Sequence, residues 1–206
     1  MILCEIGNTH YHFMKNGKIW KKRVNEKLDL IDGSKVYAIS VNENAFKKLS
    51  SNYQTINLEP FISLDTAYRG LGVDRAVACM AVEDGVIIDA GTAITVDVMQ
   101  SGLHLGGFIY PGLNKFQQMY GQISPLLEKA ISFGVDIEHL PQSTAEAISY
   151  GVIKPLIDTI KTVSKNKRVI FTGGDGGYFA RFFDDAIVDH TLIFKNIKKI
   201  IKKIKE

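Results

Sequence analysis

The sequence lacks the features that mark several classes of protein. It has only two cysteines, Cys4 and Cys79, without C-x-x-C spacing, which predicts buried free thiols in a reducing cytoplasm rather than a disulfide or zinc site. No apolar run approaches the ~20 residues of a membrane span, and no G-x-x-x-x-G-K-[ST] run indicates a P-loop. With 46% hydrophobic and 23% charged residues in 206, the chain is typical of a globular cytoplasmic protein.

The chain also lacks a large excess of charge of one sign. Its net charge is only +3, and the excess of positive charge lies mostly in residues 195–205. There, isoleucines at 197, 200, 201 and 204 alternate with lysines at the spacing of an amphipathic helix. No aromatic residue stands among these lysines, as a base-stacking surface would require. We therefore expect a terminal helix that packs by its isoleucine stripe, with no nucleic-acid or membrane partner.

One short sequence pattern, an acidic residue followed two positions later by glycine, occurs after an apolar run in each half of the chain. Glu5-Ile6-Gly7-Asn8-Thr9 follows the apolar run 2–4, and Asp89-Ala90-Gly91-Thr92-Ala93 follows the apolar run 86–88. A strand that ends in a carboxylate and turns through glycine places the carboxylate beside backbone N–H groups, which can together hold a cation and a phosphate. The two copies predict two similar lobes that face one nucleotide.

The pattern of strands and turns supports this duplication. Strands predicted at 2–6, 11–14 and 19–24, with a hairpin turn at Asn16-Gly17, are followed by strands at 36–41 and 55–58 and helices at 44–49 and 74–82. The order restarts with strands ending at Asp89, at 95–99 and at 103–109, and helices are predicted at 113–131, 144–163 and 178–183 around a strand at 168–172. This predicts an α/β protein with lobes at residues 1–84 and 85–206, and with Thr144 as the N-cap of the long helix.

Two further segments could carry chemistry. Gly173-Gly174-Asp175-Gly176-Gly177 is a third glycine-rich turn after a strand, and such turns can bind phosphate through backbone N–H groups. Gly72-Val73-Asp74-Arg75 opens a predicted helix, where Asp74 either simply favours the helix start or acts as a general base, with Arg75 holding a substrate carboxylate. The five histidines have no spacing typical of a metal site, so we predict surface or core roles for them.

With these motifs in place, the chain resembles the type III pantothenate kinases of the actin-like, acetate-and-sugar-kinase superfamily. The resemblance rests on E-I-G-N-T at 5–9, G-V-D-R at 72–75, D-A-G-T-A-I-T-V-D at 89–97, G-G-F-I-Y-P-G at 106–112, T-x-x-A-x-x-x-G at 144–151 and F-T-G-G at 171–174. It implies two lobes of ribonuclease H-like fold and ATP-dependent phosphorylation of pantothenate, the first step of coenzyme A synthesis.

The resemblance also implies roles for particular residues. Asp74 would be the proton acceptor, and Asp89 would bind a monovalent cation, K⁺ or NH₄⁺. Substrate contacts would come from Tyr68, Gly72, Val73, Asp74, Arg75 and Thr144. ATP would be bound by Glu5, Ile6, Gly7, Asn8, Thr9, His10, Tyr11, His12 and Thr92. Mg²⁺ would bridge ATP oxygens, with Glu5 as a direct or water-mediated ligand.

Three features differ from the usual pattern of this family. The first phosphate turn has Glu5 where aspartate is usual, Tyr68 stands closer to Gly72 than in most members, and the chain is short in the first lobe. A non-catalytic nucleotide-binding regulator of the same fold, or a kinase for another small hydroxy acid, are therefore the alternative functions. The apolar residues in 113–131 and 144–163 form either the core of the second lobe or a twofold helical interface. The resemblance favours a homodimer in which Thr144 reaches the substrate of the neighbouring chain.

Overall fold

The computed structural model describes residues 1–30 and 33–205 and divides them into two compact units. Of these residues, 1–30, 33–83, 102–104 and 191–205 belong to the first unit, and 84–101 and 105–190 belong to the second. The change at residues 83 and 84 lies beside the predicted lobe boundary, whereas the C-terminal segment belongs to the first unit. The division into lobes at 1–84 and 85–206 remains a prediction. Among the described helices, none has the length and apolar character needed to cross a membrane.

The first unit contains a five-stranded sheet. Its strands are β1 (Ile2–Ile6), β2 (His10–Lys15), β3 (Lys18–Arg23), β4 (Val36–Ser40) and β5 (Thr55–Asn57), in the order β3-β2-β1-β4-β5. Strands β1, β2 and β3 form an antiparallel meander, and β4 and β5 add in parallel. Asn16 and Gly17 both have positive φ, as the two-residue hairpin turn between β2 and β3 requires.

Helices cover this sheet because they bury apolar side chains against it. They are α1 (Glu43–Asn52), α2 (Val73–Cys79) and α6 (Leu192–Lys205), and α2 and α6 pack against each other. Ile197, Ile200 and Ile201 of α6 are buried, while its lysines are exposed. The predicted isoleucine stripe is therefore confirmed, although Ile204 at its end remains 40% exposed.

The second unit repeats the same topology. Its strands are β7 (Gly85–Ala90), β8 (Ala93–Gln100), residues 105–111 of β9 (Leu103–Pro111), β10 (Val169–Thr172) and β11 (Ile187–Val188), in the order β9-β8-β7-β10-β11. Here β8 is antiparallel to β7, whereas β10 and β11 are parallel additions. The shared strand order confirms the predicted pair of ribonuclease H-like α/β folds. A sixth, two-residue strand, β6 (Asp65–Thr66), pairs in parallel with Leu103 and His104 at the start of β9, in the first unit.

The helices of the second unit are α3 (Leu113–Ile123), α4 (Thr144–Val163) and α5 (Gly176–Phe179). The bounds of α4 agree with the prediction, but its N-cap does not. Ser143, rather than Thr144, accepts a hydrogen bond from the backbone N–H of Glu146 and donates to the Glu146 carboxylate. The bond from the Glu146 N–H makes Ser143 the N-cap and places Thr144 at the first helical position.

Two shorter helices also differ from the predictions. The helices expected at about 113–131 are α3, which ends at Ile123, and a 3₁₀ turn, Pro125–Leu127, and the helical structure ends before 131; Ser124 separates the two because it adopts an extended conformation and caps the turn. The helix expected at 178–183 is replaced by α5 and a 3₁₀ turn, Ala180–Phe182.

Candidate active site

The start of α2, in the first unit, carries an acidic and a basic side chain next to each other, Asp74 and Arg75. Gly72 caps the helix with extended backbone, so that Asp74 and Arg75 follow in its first turn. The carboxylate Oδ1 of Asp74 accepts a hydrogen bond of 2.7 Å from the backbone N–H of Arg75. A helix start is a favourable place for a carboxylate, and the missing side chain of Gly72 leaves room for this one.

Asp74 lies in an environment that favours its neutral form. Burial is the largest influence and raises the pKa of its carboxyl group. The hydrogen bond from the Arg75 backbone lowers this pKa, and the nearby carboxylate of Glu5 raises it again, with the net result above the ordinary value. A carboxylate with a raised pKa is a better proton acceptor than a solvated one, as expected of a general base.

Arg75 is unusual because its charged side chain is almost fully buried, with 6% exposure. Its guanidinium carbon lies 5.0 Å from the ring centroid of Tyr68, and one guanidinium nitrogen donates to the Tyr68 hydroxyl at 3.4 Å. This stacking holds the planar fork of the arginine in one orientation. The structure therefore brings Tyr68 and the Gly72–Arg75 segment together, despite the short spacing between Tyr68 and Gly72.

The first glycine turn joins β1 to β2. The backbone N–H of Gly7 donates to the carbonyl of His10, whereas Asn8 and Thr9 at the tip are exposed. Glu5 and His12 lie opposite each other in the register of β1 and β2, with Glu5 Oε2 3.5 Å from His12 Nδ1. The remaining residues of the predicted ATP-binding segment differ in accessibility, since Ile6 and Tyr11 are buried in the core and cannot offer side chains to a nucleotide.

The second glycine turn joins β7 to β8 in the second unit and is closely approached by two other backbone segments. A Cβ atom on Gly112 would overlap the carbonyl groups of Gly91 and Thr92. A Cβ atom on Gly173, which has a φ of +78°, would overlap Asp89 Oδ1 and the Ala90 carbonyl oxygen. Strands β7 and β10 are parallel, with Thr172 opposite Asp89, so the second and third glycine turns meet at one edge of this sheet.

Thr144 is also in the second unit, at the exposed start of α4. Sequence reasoning overlooked two residues that touch the predicted substrate segment, namely Thr66 and His104. His104 was treated only as a surface or core histidine. The one signal in the sequence that could have singled it out was its position two residues before the G-G-F-I-Y-P-G motif at 106–112.

Comparison with known proteins agrees with these motifs. The family model for type III pantothenate kinase matches residues 40–166. This chain belongs to the type III pantothenate kinase family. Type III pantothenate kinases of Wolinella succinogenes and Helicobacter hepaticus are each 50% identical to it, over 100% and 98% of this chain and 99% of theirs. The Campylobacter jejuni type III pantothenate kinase is 43% identical over 98% of this chain and 97% of its own. This chain and these relatives therefore match over nearly the full length of each.

A solved structure has the same fold as this family member over the full length of the chain. A crystal structure from Campylobacter jejuni, described as a conserved protein of the Baf family of transcriptional activators, superposes with a TM-score of 0.88. It is 41% identical, and the match covers 100% of this chain and 99% of that one.

Proposed function

We propose that this protein transfers the γ-phosphoryl group of ATP to the hydroxyl of pantothenate, the first step of coenzyme A synthesis. Membership of the type III pantothenate kinase family carries the choice of reaction. The structural observation that supports this reaction is that Asp74 and Arg75 stand next to each other at the start of α2. One side chain there has the raised pKa of a base, and the other is a buried cation.

Asp74 would accept the proton of the substrate hydroxyl. Its partly desolvated carboxylate would bind that hydroxyl, and Arg75, held by Tyr68, would bind the pantothenate carboxylate through its planar fork. Neighbouring residues on a helix point about 100° apart, so the two side chains can address opposite ends of one small molecule. Phosphoryl transfer needs little covalent chemistry from the protein, and correct positioning supplies most of the rate.

The two acidic-glycine turns would bind the nucleotide and its cations. Residues 5–12 and Thr92 are the proposed ATP contacts. The carboxylate of Glu5 is an oxygen ligand of the type that Mg²⁺ prefers, and it is only 14% exposed, so it fits a direct or water-mediated role. Mg²⁺, when bound, neutralises charge on the phosphate oxygens.

The environment of Asp89 suits a monovalent cation. The Oδ1 atom of Asp89 and the carbonyl oxygen of Ala90 converge beside Gly173, where a Cβ atom would overlap both of them. Carboxylate and carbonyl oxygens can coordinate K⁺ or accept hydrogen bonds from NH₄⁺, which supports the role proposed for Asp89. Asp89 would hold this cation where it offsets phosphate charge.

We further propose that the working unit is a homodimer. Of the apolar residues in 113–131 and 144–163, Ile148 and Ile153 are buried in the second unit, and Phe116, Tyr120 and Tyr150 pack against its core. The others include Met119 and Leu126, which are 49% and 78% exposed. Further exposed apolar side chains in the same unit are Leu105, Ile109, Ile123 and Leu140. The family resemblance carries this proposal, and these exposed apolar side chains are the ones that a protein interface would bury.

The dimer can be tested by mixing two inactive variants. Asp74→Asn removes the proposed base, and Thr144→Trp would block the proposed contact with the neighbouring substrate. After subunit exchange, mixed dimers should recover part of the activity, because one of their two sites carries neither lesion. No recovery after exchange is verified would indicate that each site is built within one chain.

A non-catalytic regulator is the second candidate. It is favoured by Glu5 in place of aspartate and by the structural similarity to the protein described as a Baf family transcriptional activator. Steady-state ATP turnover with purified protein, with and without pantothenate, separates the candidates. Pantothenate-dependent turnover that falls by about 10²–10⁴-fold in Asp74→Asn supports the kinase. ATP binding without turnover supports the regulator, and turnover with another hydroxy acid alone supports a kinase of different substrate.

A further inference from the structure

We propose that Thr66 and His104 are positioning residues that fix Tyr68, and through it Arg75, for binding of the substrate carboxylate. The inference rests on the proposed function, since it concerns the same substrate site. Neither residue belongs to the motifs by which the family was recognised. All four residues lie in the first unit.

The pair is held together by the short strand β6. Thr66 lies opposite His104 in the parallel register of β6 and β9. The Thr66 hydroxyl oxygen is 2.7 Å from Nδ1 of His104 and 3.4 Å from the His104 carbonyl oxygen. His104 is only 2% exposed, so this hydrogen bond is protected from competition with water. Thr66 is thereby held against a buried side chain.

The same hydroxyl also fixes the backbone that carries Tyr68. The backbone N–H of Tyr68 donates to Thr66 Oγ1 at 3.0 Å, which forms a local hydroxyl turn. The hydroxyl group has two lone pairs and one proton. It can therefore bond to His104 and to Tyr68 at the same time, in either tautomer of the histidine.

The Tyr68 ring transmits this position to the arginine. Its centroid lies 5.9 Å from that of the His104 ring at an angle of 52°, which is a tilted aromatic contact. The hydroxyl group of the same Tyr68 side chain accepts the hydrogen bond from the Arg75 guanidinium. Because Tyr68 is 36% exposed and lies outside regular secondary structure, packing alone constrains it weakly. The hydroxyl of Thr66 supplies the missing constraint.

The decisive variant is Thr66→Val, which keeps the shape of the side chain and removes the hydroxyl. We expect kcat/KM for pantothenate to fall roughly five- to tenfold, the effect of one lost hydrogen bond in a positioned site. The loss should lie mainly in KM for pantothenate, with KM for ATP unchanged, because only one substrate is held by Arg75. Thr66→Ser keeps the hydroxyl and should restore kcat/KM for pantothenate to near the wild-type value.

Thr55→Val is the matched control. Thr55 also lies in a short parallel strand of the first unit, and its hydroxyl also bonds to the backbone two residues away, at the Tyr53 carbonyl. It should leave both KM values unchanged. If Thr66→Val does not fold, Thr66→Ala removes the same hydroxyl with less bulk, and calorimetric binding of pantothenate, normalised by its stoichiometry, replaces the kinetic readout.

The wild-type reaction is measured first and tests the proposed function separately. If the wild type phosphorylates pantothenate but Thr66→Val keeps its pantothenate KM, the positioning role is refuted while the function stands. An equal rise of the KM values for ATP and pantothenate, or the same effect in Thr55→Val, would also refute it, because either result indicates a general structural disturbance.

Discussion

Gly72→Ala is the substitution that tests the position of Asp74 without changing its chemistry. Gly72 has φ −60° and ψ 143°, which alanine adopts without strain. A Cβ atom at this position would lie 2.7 Å from Asp74 Oδ1, whereas the next nearest atoms, Asp74 Cγ and Val41 Cγ1, are 3.8 Å and 3.9 Å away. The added methyl group therefore presses on one atom, the carboxylate oxygen.

The size of the effect follows from this distance. Ordinary contact with a Cβ atom begins at 3.4 Å, so an oxygen at 2.7 Å must retreat by about 0.7 Å. Misplacing a reacting group by 1 Å can cost about 10²-fold in rate, so we expect kcat to fall roughly ten- to thirtyfold. This corresponds to about 1.4–2 kcal/mol in the activation barrier.

The assay is steady-state kinetics with ATP and pantothenate, together with thermal unfolding. Gly72→Ala should lower kcat, with little change in KM for ATP and in melting temperature. Gly134→Ala is the control, because its Cβ atom would meet only Ser132 Oγ, at 3.9 Å. It should behave as the wild type.

A double-mutant cycle decides whether the effect passes through Asp74. In an Asp74→Asn background the base is already lost, so Gly72→Ala should reduce the residual rate no further. Full additivity of the two losses, or a Gly72→Ala enzyme with the kcat of the wild type, would refute the placement of Asp74 at the reacting hydroxyl.

Three further predictions concern charges at the site. Because burial raises the pKa of Asp74, the folded wild type loses stability as pH rises through that pKa. Asp74→Asn should therefore be more stable than the wild type at neutral pH. The denaturant midpoints of the two proteins should converge below about pH 3.9, where the carboxyl group of the unfolded wild type is also protonated. If Glu5 binds Mg²⁺, Glu5→Gln should shift the Mg²⁺ titration of ATP use to higher concentration and Glu5→Asp should keep or raise activity, so an unchanged titration in Glu5→Gln would place Glu5 outside the metal shell. If Asp89 holds a monovalent cation, rates should be higher in K⁺ or NH₄⁺ than in Na⁺ at equal ionic strength, and equal rates would contradict that role.

The sequence by itself determined the strands and their turns. Alternating and apolar runs, together with Asn16-Gly17 and Ser101-Gly102, place the two meanders correctly, because hairpin geometry depends on a few neighbouring residues. The bounds of α4 also follow from local pattern, and its true cap was readable as Ser143 three residues before Glu146. The family motifs likewise lie in short local phrases, so the reaction could be predicted without coordinates.

Only the tertiary structure determined the features that depend on contacts between residues far apart in the sequence. Strand β6 has only two residues and exists because it pairs with β9, and Thr66 meets His104 across 38 residues of sequence. The packing of α6 against α2 likewise depends on partners that are distant along the chain. Local periodicity carries no information about such partners, because it reports which face of an element is apolar and not what covers that face. The support around Tyr68 therefore became visible only once the chain was folded.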